Sequence, residues 1–149
     1  MSLQVQVMDK MKEAMKAKDT VALQALRAVK SAFLLAKTEA GAQSDLTEEQ
    51  EIKIIQKQVK QRKDSVAIFL QQGREDLATP ELQEIAILEQ FLPKALSEDE
   101  VAAVVIETIT SLGASGMQDM GKVMGVVSKK LAGQADGKMI ADLVKKHLL

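Results

Sequence analysis

The stretch DMGKVMGVVSKKLAGQADGK, Asp119–Lys138, decides how this chain is read. Met120, Val123, Val127 and Leu131 recur at helical spacing and predict one buried stripe. The segment Gly133–Gly137 then ends that helix, and Asp136 is placed to cap the next. Apolar packing does not ask for Gly121 and Gly125 as well. A glycine inside a helix costs roughly 1 kcal/mol against alanine. Two of them four residues apart imply that another helix or a ligand comes very close to this backbone.

Working outward, nearly everything reads as helix. The chain has no Asn and only two prolines, and Ala, Leu, Glu, Lys, Gln and Met dominate. A first helix is predicted over 3–18, with Leu3, Val7, Met11 and Met15 on one stripe. Asp19 caps a second over 20–40, ended by Gly41, with Leu26, Val29, Phe33 and Ala36 inward. Thr47 and Gln50 form a capping-box pair that opens a third helix, running to about Gln72 and stopped by Gly73. Its seam is Ile52, Ile55, Val59, Val66 and Phe69. Arg62 interrupts that seam, and an acid such as Glu84 or Glu89 is its expected partner. Thr79 and Pro80 start a short fourth helix, with Leu82, Ile85, Leu88 and Leu92 inward.

Pro93–Leu96 reads as a linker, and Ser97 with Glu100 makes a second capping box. Three short helices follow, over 98–112, 118–132 and 137–148. Gly113 and Gly116 separate the first pair, and Gly133 with Asp136 the second. The expected architecture is all-α: a four-helix N-terminal domain, 1–93, and a small three-helix C-terminal bundle, 97–149.

Composition narrows the chemistry. The 149 residues include no cysteine and one histidine, and the net charge is −1. Disulfides, thiolate metal sites and cysteine nucleophiles are excluded. No run of eighteen apolar residues and no hydrophobic signal core is present, so a soluble, unexported, cytoplasmic chain is expected. A bulk nucleic-acid binder is usually strongly basic, which this chain is not. Phe33, Phe69 and Phe91 are the only aromatics, all at apolar helical positions. Base stacking on exposed aromatics is therefore not expected, and any RNA must be read through backbone and shape.

No HExxH, CxxC or P-loop motif occurs. His147 lies on the last turn of the last helix, where a cation suits the negative helix end. The acidic groups Glu48, Glu49 and Glu51, Glu75 and Asp76, and Glu98, Asp99 and Glu100 sit at helix starts, where negative charge belongs. We expect no catalytic residue, no metal and no cofactor.

Charge is polarised along the C-terminal part. From Gly113 onward Lys122, Lys129, Lys130, Lys138, Lys145 and Lys146 outnumber Asp119, Asp136 and Asp142. Residues 97–112 carry four acids and no base. Lys122 and Lys129 are seven apart and share a helix face; Lys130 lies beside it, and Lys138 starts the next helix. Two readings stand side by side: a solvated lysine face, and a surface that tracks phosphates. The N-terminal part has basic faces too, with Lys53, Lys57, Lys60, Arg62 and Lys63 on one helix and Arg27, Lys30 and Lys37 on another. There bases and acids balance over residues 1–96.

The blocks LRAVKSA (Leu26–Ala32), KQRKDS (Lys60–Ser65), GREDLA (Gly73–Ala78) and ILEQFLPKALSEDE (Ile87–Glu100) resemble the YqeY family, in the family order. So does the Gly-x-Val-Met step at Gly121 with the Gly-x-Ala turn that follows. The last third of the chain also resembles the GatB tail domain of the tRNA-dependent amidotransferase. The resemblance implies a tail-like, non-catalytic module that docks folded tRNA for a tRNA-modifying or aminoacylating enzyme. Lys122, Lys129, Lys130 and Lys138 would meet phosphates, and Gly121 and Gly125 would permit close approach. Four such contacts imply a log–log salt slope of roughly −3 to −4. The same resemblance invites a second reading, a component of a carbon–nitrogen ligase with glutamine as amido-N donor. A third is a protein-interaction module gripping a helix through an exposed Met120–Val123–Met124 edge.

Overall fold

The computed structural model describes residues 2–39 and 45–149. Among these residues the chain is all-helical, with seven α-helices, one short 3-10 turn and no strand. It divides into two compact units, Met1–Leu92 and Pro93–Leu149.

The first unit contains α1 (Leu3–Ala17), α2 (Thr20–Glu39), α3 (Glu48–Gln71) and α4 (Glu75–Glu89). Its most extensive pairings are α3 with α4 and α1 with α2. Val7, Leu26, Val29, Ile55 and Leu88 are almost wholly enclosed at its centre. The expected caps form: the Asp19 carboxylate accepts from Ala22 N at 3.1 Å, and Thr47 and Gln50 exchange both bonds of the capping box. Helix α1 ends one residue before Lys18, which takes the left-handed conformation and returns its N–H to Ala14 and Met15. The expected end of α2 at Ala40 and Gly41 lies outside the described residues.

Three expectations for this unit need correction. Met15 is 57% exposed and Leu82 50% exposed. Ala14 takes the inward place that the stripe assigned to Met15, and Ala78 joins the expected Ile85 and Leu88 in α4 in place of Leu82. Helix α4 also begins five residues before Pro80. Gly73, at φ +69°, reverses the chain so that Arg74 N reaches Phe69 O at 2.8 Å. Glu75 and Asp76 then occupy the positive first turn. Pro80 has no N–H to donate to Asp76 O, but Ala78 is only 1% exposed and holds the early turn against the core.

The second unit contains α5 (Glu98–Leu112), a 3-10 turn (Met117–Asp119), α6 (Met120–Lys130) and α7 (Gly137–Leu148). The middle helix is shorter than expected because its first residues form the 3-10 turn and Leu131 leaves helical geometry. Val101, Val105, Val123, Val127, Leu131, Ile140, Leu143, Val144 and Leu148 make its core. Ser97 and Glu100 form their capping box. Gly113, Gly116 and Gly133 have φ of +61°, +74° and +80°, a region L side chains rarely adopt. No single helix among the described residues is long and apolar enough to cross a membrane.

Candidate nucleic-acid interface

Helix α6 is anchored at both ends. The Asp119 carboxylate accepts from Ser115 N at 2.9 Å and pins the preceding turn. Leu131, 4% exposed, closes the other end in the core. Val123 and Val127 are fully buried between these anchors. With 3.6 residues per turn, that stripe forces Gly121, Lys122, Gly125 and Lys129 onto the opposite side, and all four are exposed.

The glycines do not pack against another helix of the unit, one of the two close approaches that residues four apart implied. A Cβ built on either meets no heavy atom within 4 Å. The valines make the interhelical contacts, so the glycine side is left as bare, outward-facing backbone. Inside α6 each glycine forgoes roughly 1 kcal/mol with no intramolecular contact in return.

Lys122 and Lys129, seven residues apart, lie together along one side of this strip. Neither has an acidic partner; all ion pairs among the described residues lie in the first unit. There Lys37, Lys53 and Lys63 meet Asp45, Glu49 and Glu89, and Arg62 meets Glu84. The basic faces of the first unit are thus partly neutralised, while the α6 face keeps its charge.

The other two lysines fall elsewhere. Lys130 turns toward α5, with Nζ 3.5 Å from the hydroxyl of Thr108, itself 1% exposed and bonded to Val104 O. Lys138, the second residue of α7, lines an open depression with Glu98, Asp136, Asp142 and Lys146, to which α6 contributes nothing. The structure therefore brings together Gly121, Lys122, Gly125 and Lys129, and places Lys130 and Lys138 apart from them. The expected Met120–Val123–Met124 edge is not an edge. Val123 is fully buried and both methionines are half-buried against the core. Only Met117, at 43%, is open to solvent there.

The Gly133–Gly137 loop has a role that its residues did not announce. Leu96 N donates to Gln134 O at 2.8 Å, and Gln134 Nε2 to Lys94 O at 3.3 Å. Gln134 thereby ties residues 94–96 to the C-terminal unit. Partners forty residues apart leave no local sequence signal. Asp136 caps α7 by accepting from Lys138 N at 3.4 Å. No three His, Asp or Glu side chains among the described residues are grouped to hold a metal.

Residues 4–148 match the family described as Yqey-like protein. Over 108 residues the chain is 38% identical to "Altered inheritance of mitochondria protein 41, mitochondrial" of Kluyveromyces lactis, covering 70% of this chain and 57% of that protein. Over 73 residues it is 34% identical to a glutamyl-tRNA(Gln) amidotransferase subunit of Thermococcus gammatolerans, covering 46% of this chain and 12% of that one. The chain thus spans little more than half of the first relative and a small part of the second. A match over almost its whole length shows that the chain belongs to the YqeY family, with distant similarity to one subunit of an amidotransferase.

Proposed function

We propose that this protein is a non-catalytic accessory factor that docks folded tRNA on the exposed face of α6 and holds it for a tRNA-modifying or aminoacylating enzyme. The observation that carries this reading is the contrast in charge pairing. Lys122 and Lys129 stand exposed and without carboxylate partners on one helix face, while Lys37, Lys53 and Lys63 of the first unit are ion-paired. Unpaired ammonium groups are what a polyanion needs, because each phosphate they neutralise releases counterions. The likeness to a protein named for glutamyl-tRNA supplies the class of polyanion.

The test is binding of the full chain to unfractionated tRNA at low and physiological salt, with double-stranded DNA as control. Salt-sensitive binding that prefers tRNA is the expected result. No binding at low salt would refute docking. Glutamine- and ATP-dependent amidation of mischarged tRNA by the purified chain would refute the non-catalytic part.

A further inference from the structure

We infer that this chain binds a second copy of itself, the outer face of α2 on one copy receiving the outer face of α5 on another. The inference is independent of RNA docking and uses no residue of α6.

The core claims one side of α2 through Ala22, Ala25, Leu26, Val29 and Phe33. The helix turns Arg27, Lys30, Ser31, Leu34, Leu35 and Thr38 to solvent, and their spacing puts them on one face. Leu34 and Leu35 are 65% and 60% exposed, more than any other large apolar side chain among the described residues except the terminal Leu149. Arg27 and Lys30 enter no ion pair among the described residues. No acid occurs between Thr20 and Thr38. A face that meets only water is best served by charges of both signs and few large apolar groups. This one joins unbalanced cations to adjacent leucines, so its complement is a face of acids around an apolar side chain.

Helix α5 carries that complement. Its buried side is Val101, Val105 and Thr108. Asp99, Ala103, Ile106, Glu107 and Thr110 are exposed on the other side. The helix contains four acids and no base, and Asp99 and Glu107 enter no ion pair among the described residues. Seven residues separate Arg27 from Leu34, and seven separate Asp99 from Ile106, about 10.5 Å along each axis. Laid side by side in the same direction, the two faces set Arg27 against Asp99 and Leu34 against Ile106 at once. Two copies of the α2 face do not suit each other, because Arg27 and Lys30 would meet their own kind. Since the contacting faces differ, the contact links copies reciprocally about a two-fold axis or head to tail.

The test is sedimentation of the full chain over a concentration and salt series, with two charge-reversed variants. One carries Arg27→Glu and Lys30→Glu; the other carries Asp99→Lys and Glu107→Lys. Circular dichroism confirms that both stay helical. The wild type should associate reversibly, and less so at high salt. Each variant alone should associate about tenfold more weakly or not at all, because like charges then face each other. An equimolar mixture of the two should associate as the wild type does, since an acidic α2 then finds a basic α5 and the reverse. Such rescue by mixing requires that the contact lie between separate chains.

A wild type that stays monomeric throughout the series, variants that associate as tightly as the wild type, or a mixture that remains monomeric would each overturn the inference. With a monomeric wild type, loss of tRNA binding in the Arg27→Glu, Lys30→Glu variant would assign the α2 face to RNA instead.

Discussion

Arg62 Nε donates to Glu84 Oε2 at 3.1 Å across the α3–α4 pair, with side chains only 13% and 8% exposed. Arg62 Nη1 also donates to Gln58 O and to Gln58 Oε1, at 3.0 and 2.8 Å. This pair explains how a guanidinium fits into an otherwise apolar seam. Burial removes both charges from water, and mutual bonding offsets that cost only while both partners are present. Glu84→Ala should therefore destabilise the first unit by about 3 kcal/mol. Arg62→Met with Glu84→Leu should recover most of the loss. Urea unfolding measures both; equal stability of Glu84→Ala and wild type would show the pair to be dispensable.

The same substitution should act with opposite sign at two glycines of the second unit. Gly113 closes α5 in the left-handed region at φ +61°, where a Cβ costs about 1–2 kcal/mol. Gly113→Ala should thus lower stability by about 1 kcal/mol. Gly125 has helical geometry and empty space around it, so Gly125→Ala should raise stability by up to about 1 kcal/mol. Thermal unfolding of the two variants decides the matter, and shifts of the same sign would contradict it.

Acid should weaken the second unit through its capping box. The Ser97 backbone N–H, then its hydroxyl, bond the Glu100 carboxylate, and with Lys94 nearby they hold it below the ordinary value of 4.5. A carboxylate lowered in the folded state stabilises the fold above its unfolded pKa, and that contribution is lost as pH falls through the folded one. The Tm of the unit should therefore drop as pH falls below about 4.5. Glu100→Gln, which keeps an acceptor for Ser97 N, should flatten the drop. An unchanged pH profile in that variant would remove Glu100 from the explanation.

Reversal of single lysines should grade the interface. Lys122→Glu and Lys129→Glu should each weaken binding of all tRNAs to a similar degree and lower the salt slope by about 1. Lys138→Glu should have less effect, because Glu98, Asp136 and Asp142 already share its surroundings. Lys130→Glu should also cost stability, since Thr108 is buried beneath it. Binding isotherms across a salt series separate these cases, and a dominant Lys138 would relocate the interface to α7.

Both units show why short-range signals are legible. Thr47 with Gln50, and Ser97 with Glu100, form caps within one turn, so their spacing alone announces them. The Arg62–Glu84 pairing is also legible, because an ionised side chain in an apolar seam has to find a partner. Glu51 carries no such signal. In sequence it is one more acid in the first turn of α3, yet it is 2% exposed and accepts from Gln4 N at 2.9 Å. Its carboxylate satisfies an orphan donor at the start of α1, a partner forty-seven residues away.

By itself, the sequence determined the helical class, the caps, the helix breaks at Gly113 and Gly133, and the stripe that buries Val123 and Val127. These follow from periodicity and backbone conformation, which act over a few residues. Only the tertiary structure decided that α4 starts before Pro80, that Gln134 holds residues 94–96, and that Lys130 and Lys138 leave the face of Lys122 and Lys129. It also decided that no helix of the unit covers Gly121 and Gly125. Each depends on which surfaces meet across the fold, and a glycine that admits a neighbouring helix looks the same in sequence as one that faces open space.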